Sequence, residues 1–128
     1  MSKIIKQKYE IAAPMEKIWK ALTDVTVITA WGGGPAVMDA NTGTEFSLWG
    51  GDIHGKNIEI VPGKKLVQEW YGGDWPKPSL ATFILSEPKP GITLVELIHE
   101  DVPEAEVENF DQGWKDYYLG ALKDYLEK

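Results

Sequence analysis

Few residues of this chain could perform chemistry. Cysteine is absent, so disulfides, thiolate metal sites and thiol nucleophiles are excluded. The only imidazoles are His54 and His99, too far apart to suggest metal-ligand spacing, and no metal is expected. Ser2, Ser47, Ser79 and Ser86 lack the flanking glycines of a nucleophile elbow. The triplet Gly32-Gly33-Gly34 lacks the lysine that follows a phosphate loop, and no cofactor is implied. Three polar residues stand out. His99 follows Val95 and Leu97 on one strand face; it is either a polar anchor at the end of an apolar pocket or a strand-end histidine bonded to a carbonyl. Glu59 shares a face with Gly55 and Asn57, opposite Ile58 and Ile60, and is either wet or a cavity carboxylate with shifted proton affinity. Gln68, between Leu66 and Trp70, carries the same ambiguity. His54 lies near a turn and is expected to be exposed.

The elements that must position these residues follow from periodicity. Ile5, Gln7, Tyr9 and Ile11 alternate with Lys6, Lys8 and Glu10, which predicts a strand over 3–12 with one wet side. Met15, Ile18, Trp19 and Leu22 after Pro14 predict a helix over 14–23. Asp24 can cap a second short helix to Trp31, although the β-branched run Val25–Ile28 argues for a strand. From 36 onward, turn signals such as Asn41-Thr42-Gly43 and Pro62-Gly63-Lys64 separate candidate strands at 36–40, 44–49, 53–61, 65–71, 80–87 and 92–100. Finally, Pro103 opens a helix in which Val107, Phe110, Trp114, Tyr117, Tyr118, Ala121, Leu122 and Tyr125 recur at steps of three and four. At about 1.5 Å per residue that helix is roughly 35 Å long.

Such an aromatic stripe must be buried against something, and the sheet is the only surface large enough. Trp31, Met38, Phe46, Trp49, Trp70, Phe83, Trp114 and Tyr118 are therefore candidates to line the space between sheet and helix, either as core or as the wall of an apolar pocket. Gly113 and Gly120 are a heptad apart on one helical face and admit close approach of the sheet or a ligand. In the loop from Gly72 to Ser79, Trp75 either folds back as a lid or stands exposed as a partner-binding anchor.

The order of elements resembles the helix-grip fold of the START-like, polyketide-cyclase (SRPBCC) superfamily. Within it the chain resembles the homologues of the activator of the ninety-kilodalton heat-shock-protein ATPase, above all the C-terminal domain of the eukaryotic activator. Ala13-Pro14 with Ile18-Trp19, Gly34-Pro35-Ala36 to Gly43 and Phe46, and Gly55 to Glu59 with Val61-Pro62 and Trp70 carry this resemblance. So do Asp74-Trp75-Pro76 with Ala81-Thr82-Phe83, and Gln112-Gly113-Trp114 with Tyr117-Tyr118. The resemblance implies an α+β domain over 1–128: a curved antiparallel sheet of about six to seven strands wrapped around a long C-terminal helix, with two short helices after the first strand. It also implies a histidine at His99 facing the cavity. The eukaryotic activator carries a further N-terminal domain with the main chaperone contact, which this sequence does not include.

Composition narrows the partners. The net charge is −7 and every cation is lysine, which weighs against nucleic-acid binding. No apolar run approaches the roughly 20 residues of a membrane span, and the start does not resemble a signal peptide, so a cytoplasmic protein is expected. The expected function is a co-chaperone-like, stress-related binding domain rather than an enzyme. Its partner would be a chaperone of the ninety-kilodalton heat-shock class or a hydrophobic small molecule held between sheet and helix. The alternative is a polyketide-cyclase-like enzyme acting on an apolar or aromatic ligand, with Glu59 and His99 as its acid–base pair.

Overall fold

A computed structural model describes residues 2–72 and 75–127. Asp74, part of the loop segment Asp74-Trp75-Pro76, lies outside the described residues. Six strands form one antiparallel sheet: β1 (Ser2–Ile11), β2 (Glu45–Leu48), β3 (Ile53–Val61), β4 (Lys65–Gly72), β5 (Ser79–Lys89) and β6 (Ile92–Pro103). Their spatial order is β1-β6-β5-β4-β3-β2, so β2 to β6 form a meander and β1 returns to pair with β6. The segment 36–40 is not a strand. It contributes a single bridge, Val37 to Ser47, and then turns where the Asp39 carboxylate accepts the Asn41 N–H at 2.9 Å.

Two short helices follow β1: α1 (Met15–Thr23) and α2 (Val25–Trp31). The β-branched start of α2 is helical because Asp24 caps it, accepting the Thr26 N–H at 2.8 Å and the Val27 N–H at 3.4 Å. Gly32, at φ 111°, ends it in the left-handed conformation. At the other end of the chain Pro103 closes β6 instead of opening a helix, and one 3₁₀ turn, Glu104–Glu106, precedes the long helix.

That helix, α3, runs continuously through Val107–Gly113, a π turn Trp114–Tyr118, and Leu119–Leu126. The Leu119 N–H reaches back to the Trp114 carbonyl, the i→i+5 spacing of a π turn. Gly120 makes this turn feasible. A Cβ there would lie 1.7 Å from the Lys115 carbonyl oxygen, so only glycine fits without moving the backbone. The close approach at Gly120 thus comes from its own helix, not from the sheet or a ligand.

The inner face of the sheet clasps α3. Trp114 stacks on Trp70 of β4 with centroids 4.6 Å apart, and Phe83 of β5 lies 5.7 Å from Tyr118. Ile18, Leu22 and Ile28 close the core from α1 and α2, all fully buried with Leu119 and Leu122. Gln7 ties α3 to β1 by donating to the Asp111 backbone carbonyl at 2.8 Å and to its carboxylate at 2.7 Å.

Candidate functional site

Two polar chains run through the core beneath α3. The first begins at the Trp114 indole N–H, which can only donate and lies 3.1 Å from His99 Nδ1. His99 Nδ1 must therefore accept, and the imidazole hydrogen sits on Nε2, 2.7 Å from Ser79 Oγ. The Ser79 hydroxyl in turn donates to the Trp70 carbonyl at 2.9 Å. One neutral tautomer satisfies all three contacts, and burial pushes the His99 pKa down to about 4. Neither sequence alternative for His99 foresaw these partners. The arrangement also runs opposite to a nucleophile–base pair: His99 gives its hydrogen to Ser79 and does not take the hydroxyl's.

The second chain joins β4 and β3 to the turn segment that holds Met38, Asp39 and Asn41. Trp70 Nε1 donates to Gln68 Oε1 at 2.8 Å, and Gln68 Nε2 donates to Asn57 Oδ1 at 2.9 Å and faces Met38 Sδ at 3.7 Å. Asn57 Nδ2 then donates to the carbonyls of Asp39 and Asn41 at 3.0 and 3.1 Å. Gln68 and Asn57 are both fully buried. The register explains why Asn57, and not Glu59, occupies this place. Asn57 pairs with Gln68 and Glu59 with Val67, so a bulge inserts Ile58 and reverses the alternation. Glu59 is corrected from polar anchor to surface residue: its side chain is 53% exposed and pairs with Lys65 at 3.5 Å.

Between the first half of α3 and the sheet lies a cleft of about 320 Å³. Trp70, Trp114 and Tyr118 line it, with Trp49 and Ile53 on the sheet side and Asn109, Phe110, Gly113 and Tyr117 on the helix side. No ionisable carboxylate, amine or imidazole is among them. Tyr117 is 68% exposed and marks the mouth. A Cβ on Gly113 would meet nothing within 4 Å, so this glycine leaves open space where any other residue would place a side chain. Trp49 adopts a left-handed backbone, φ 50°, unusual for so bulky a residue. It is held there by its Nε1 donating to the Gly32 carbonyl at 2.8 Å and its backbone N–H donating to Gly33 at 2.8 Å.

Tyr118 is the anomaly of the cleft. Its ring contacts Trp31 and Trp114, each with centroids 4.8 Å away, yet its buried hydroxyl has no hydrogen-bond partner. Among the described residues it is the one buried side-chain polar atom in that condition. Burial pushes its pKa well above the usual tyrosine range.

The remaining expected lining residues do not reach the cleft. Trp31, Met38, Phe46 and Phe83 fill the core, and His99 lies in the polar chain described above. Trp75 is the lid of its two alternatives: half-buried, it packs on Phe110 with centroids 4.9 Å apart, so the expectation of a free-standing partner anchor there is corrected. His54 is half-buried and stacks on Tyr71 at 5.1 Å. Ile53, Asn109, Phe110 and Tyr117 were not foreseen as lining; the helical stripe contained Phe110 and Tyr117 without distinguishing core from mouth. Among the described residues, no group of three or more His, Asp or Glu side chains could hold a metal ion. None of the described helices is long and apolar enough to cross a membrane.

Comparisons with known proteins agree with this architecture. Residues 12–127 match the family model described as activator of Hsp90 ATPase homolog 1-like protein. The mouse activator of 90 kDa heat shock protein ATPase homolog 2 is 29% identical over 114 residues, covering 88% of this chain and 34% of that protein. The human homolog 1 is 29% identical over 109 residues, covering 84% of this chain and 32% of that protein. The chain thus spans about a third of the length of these relatives. The crystal structure of an HSP90 activator from Plasmodium falciparum superposes with a TM-score of 0.85 at 28% identity, covering 98% of this chain and 96% of that one. CalU16 from Micromonospora echinospora superposes with a TM-score of 0.79 at 30% identity, covering 98% and 75%. With the helix-grip architecture and a family match over nearly its whole length, the chain belongs to the activator of Hsp90 ATPase homolog 1-like family.

Proposed function

We propose that this domain works by binding, and that the cleft beneath α3 is where it binds a hydrophobic small molecule. The observation that carries this reading is an open space of about 320 Å³ between the sheet and α3, walled by aromatic rings. Pockets for small apolar ligands begin at about this size. Trp49, Trp70, Trp114 and Tyr118 are its ligand-binding residues in this reading, with Tyr117 and Phe110 at the helix side. Gln68 and His99 act indirectly, by fixing the Trp70 and Trp114 rings through their indole N–H groups. No catalytic step is assigned to the domain: His99 is committed to Trp114 and Ser79, and Glu59 stands outside. A cytoplasmic location belongs to the same proposal.

Gly113→Leu tests it. The new side chain enters the cleft without meeting backbone and should leave the fold intact, since leucine is the better helix former. Binding of N-phenylnaphthylamine, an uncharged fluorescent probe, is expected to weaken at least about tenfold in the variant. Equal binding by both proteins would refute the cleft.

A second reading, a chaperone partner of the 90 kDa heat-shock class, is favoured by the names of the relatives. It predicts that the domain binds that chaperone and changes its ATPase rate. No binding and no change in rate would remove it.

A further inference from the structure

Among the described residues, the helices pack on the inner face of the sheet, and its outer face carries no second layer. The cross-strand registers fix what that face displays. One row, read from β1 to β3, is Lys6, Ile98, Thr82, Val67 and Glu59. The next is Lys8, Glu96, Ile84, Lys65 and Val61. Along β4 to β6 these residues alternate with the fully buried Leu66, Phe83 and Leu97, so they point outward. Ile84 and Ile98 are half-buried, which leaves an apolar centre between charged margins.

A wet sheet face needs no particular order of charges. Here the order is antisymmetric about β5. Lys6 at one end of its row is answered by Glu59 at the other, and Glu96 and Lys65 flank Ile84 on opposite sides. Suppose a second copy is turned by a two-fold axis along β5. Lys6 then faces Glu59, Ile98 faces Val67 and Glu96 faces Lys65, while Thr82 and Ile84 face their own counterparts; each unlike pair occurs twice. An axis across the strands would instead set Lys6 on Lys6 and Glu59 on Glu59. Glu59 already pairs with Lys65 at 3.5 Å, so Lys6 and Glu96 of the second copy would extend that pair into a network of four charges. A third row, Glu100, Leu80 and Glu69, brings Leu80 onto its counterpart and Glu100 against Glu69; Lys56, the cross-strand neighbour of Glu69, stands beside that contact.

We propose that the outer face of the sheet is a self-association surface that packs on the same face of a second copy about a two-fold axis along β5. Sheets packed in this way lie about 10 Å apart with their strands within about 30° of each other. Three rows across five strands cover about 500 Å² on each copy. That is less than the roughly 800 Å² per partner of a standard interface, so the dimer is weak and reversible. The cleft lies on the other side of the sheet, so both copies keep it open, and the inference stands whatever the cleft binds.

Sedimentation velocity of the full chain, from about 10 μM to about 1 mM, should show monomer giving way to dimer. About 0.15 M salt would screen the charge of −7 that each copy carries. Ile84→Lys sets two lysines against each other on the axis and should raise the dissociation constant at least about tenfold. Lys6→Glu should raise it roughly three- to tenfold, and adding Glu59→Lys to Lys6→Glu should bring it back. Lys6 and Glu59 are exposed, so this pair of variants keeps the fold, which far-UV circular dichroism checks for all of them. A chain that stays monomeric throughout overturns the proposal. So does a dimer indifferent to Ile84→Lys and Lys6→Glu, which would be joined through another surface. Failure of Glu59→Lys to rescue Lys6→Glu would overturn the axis along β5.

Discussion

Replacing Tyr118 by phenylalanine should make the protein more stable. A buried tyrosine hydroxyl normally has a partner, and removing it normally costs stability. Here the hydroxyl is buried and has none, so wild type bears its desolvation without return. That penalty is about 1–3 kcal/mol for a neutral polar group. Phenylalanine keeps the ring and its contacts with Trp31, Trp114 and Phe83, so no cavity opens to offset the gain. Urea unfolding followed by far-UV circular dichroism would read the change as a higher midpoint with an unaltered slope, because the surface exposed on unfolding hardly differs. For a chain of this size, each kcal/mol also raises the melting temperature by roughly 3–5 °C. No gain, or a loss, would show that the hydroxyl already has a partner in solution, and the reasoning would fail.

Three further outcomes follow from the same geometry. Gly113→Ala and Gly120→Ala should have opposite signs: the first gains up to about 1 kcal/mol of helix propensity, and the second loses roughly 1–3 kcal/mol by forcing the Lys115 carbonyl aside, both measurable by thermal melting. The His99 pKa is depressed from 6.5 to about 4 by burial, so the folded protein resists its protonation. The stabilisation this represents is fully present above pH 6.5, declines as pH falls and is gone below about 4; it amounts to something on the order of 3 kcal/mol. His99→Gln should therefore flatten stability against pH across that window relative to wild type, in urea titrations at several pH values. Asn57→Ala should cost about 2 kcal/mol or more by orphaning Gln68, whereas Glu59→Ala should stay within about 0.5 kcal/mol in the same assay.

The elements were legible in the sequence wherever one period dominated. The β1 alternation, the apolar spacing of α1 and the stripe of α3 all became the elements they predicted. The segment 36–40 misled because Asp39 interrupts its apolar run and sets a turn by accepting the Asn41 N–H, leaving one bridge in place of a strand. The polar interior was hidden for a different reason. A single inserted residue at the β3 bulge put Asn57 and Glu59, which regular alternation places on one face, on opposite sides of the sheet, and period-two reasoning has no way to see such a slip. Likewise the π turn moves Tyr118 by one residue relative to a regular helix; its only trace in the sequence is Gly120, which has several other readings. Of the aromatic candidates, Trp70 and Phe83 of the sheet pack directly on Trp114 and Tyr118 of α3. Which of them fill the core and which border the opening depends on the gap at Gly113, where the signal is the absence of a side chain.

The most direct test of binding in the cleft uses the six tryptophans as reporters. Each gives one indole N–H signal in a ¹H–¹⁵N spectrum. Titration with N-phenylnaphthylamine should displace the signals of Trp49, Trp70 and Trp114, which line the cleft, and leave that of Trp19 on α1 in place. Unmoved signals for those three, or displacement confined to tryptophans elsewhere, would contradict the account.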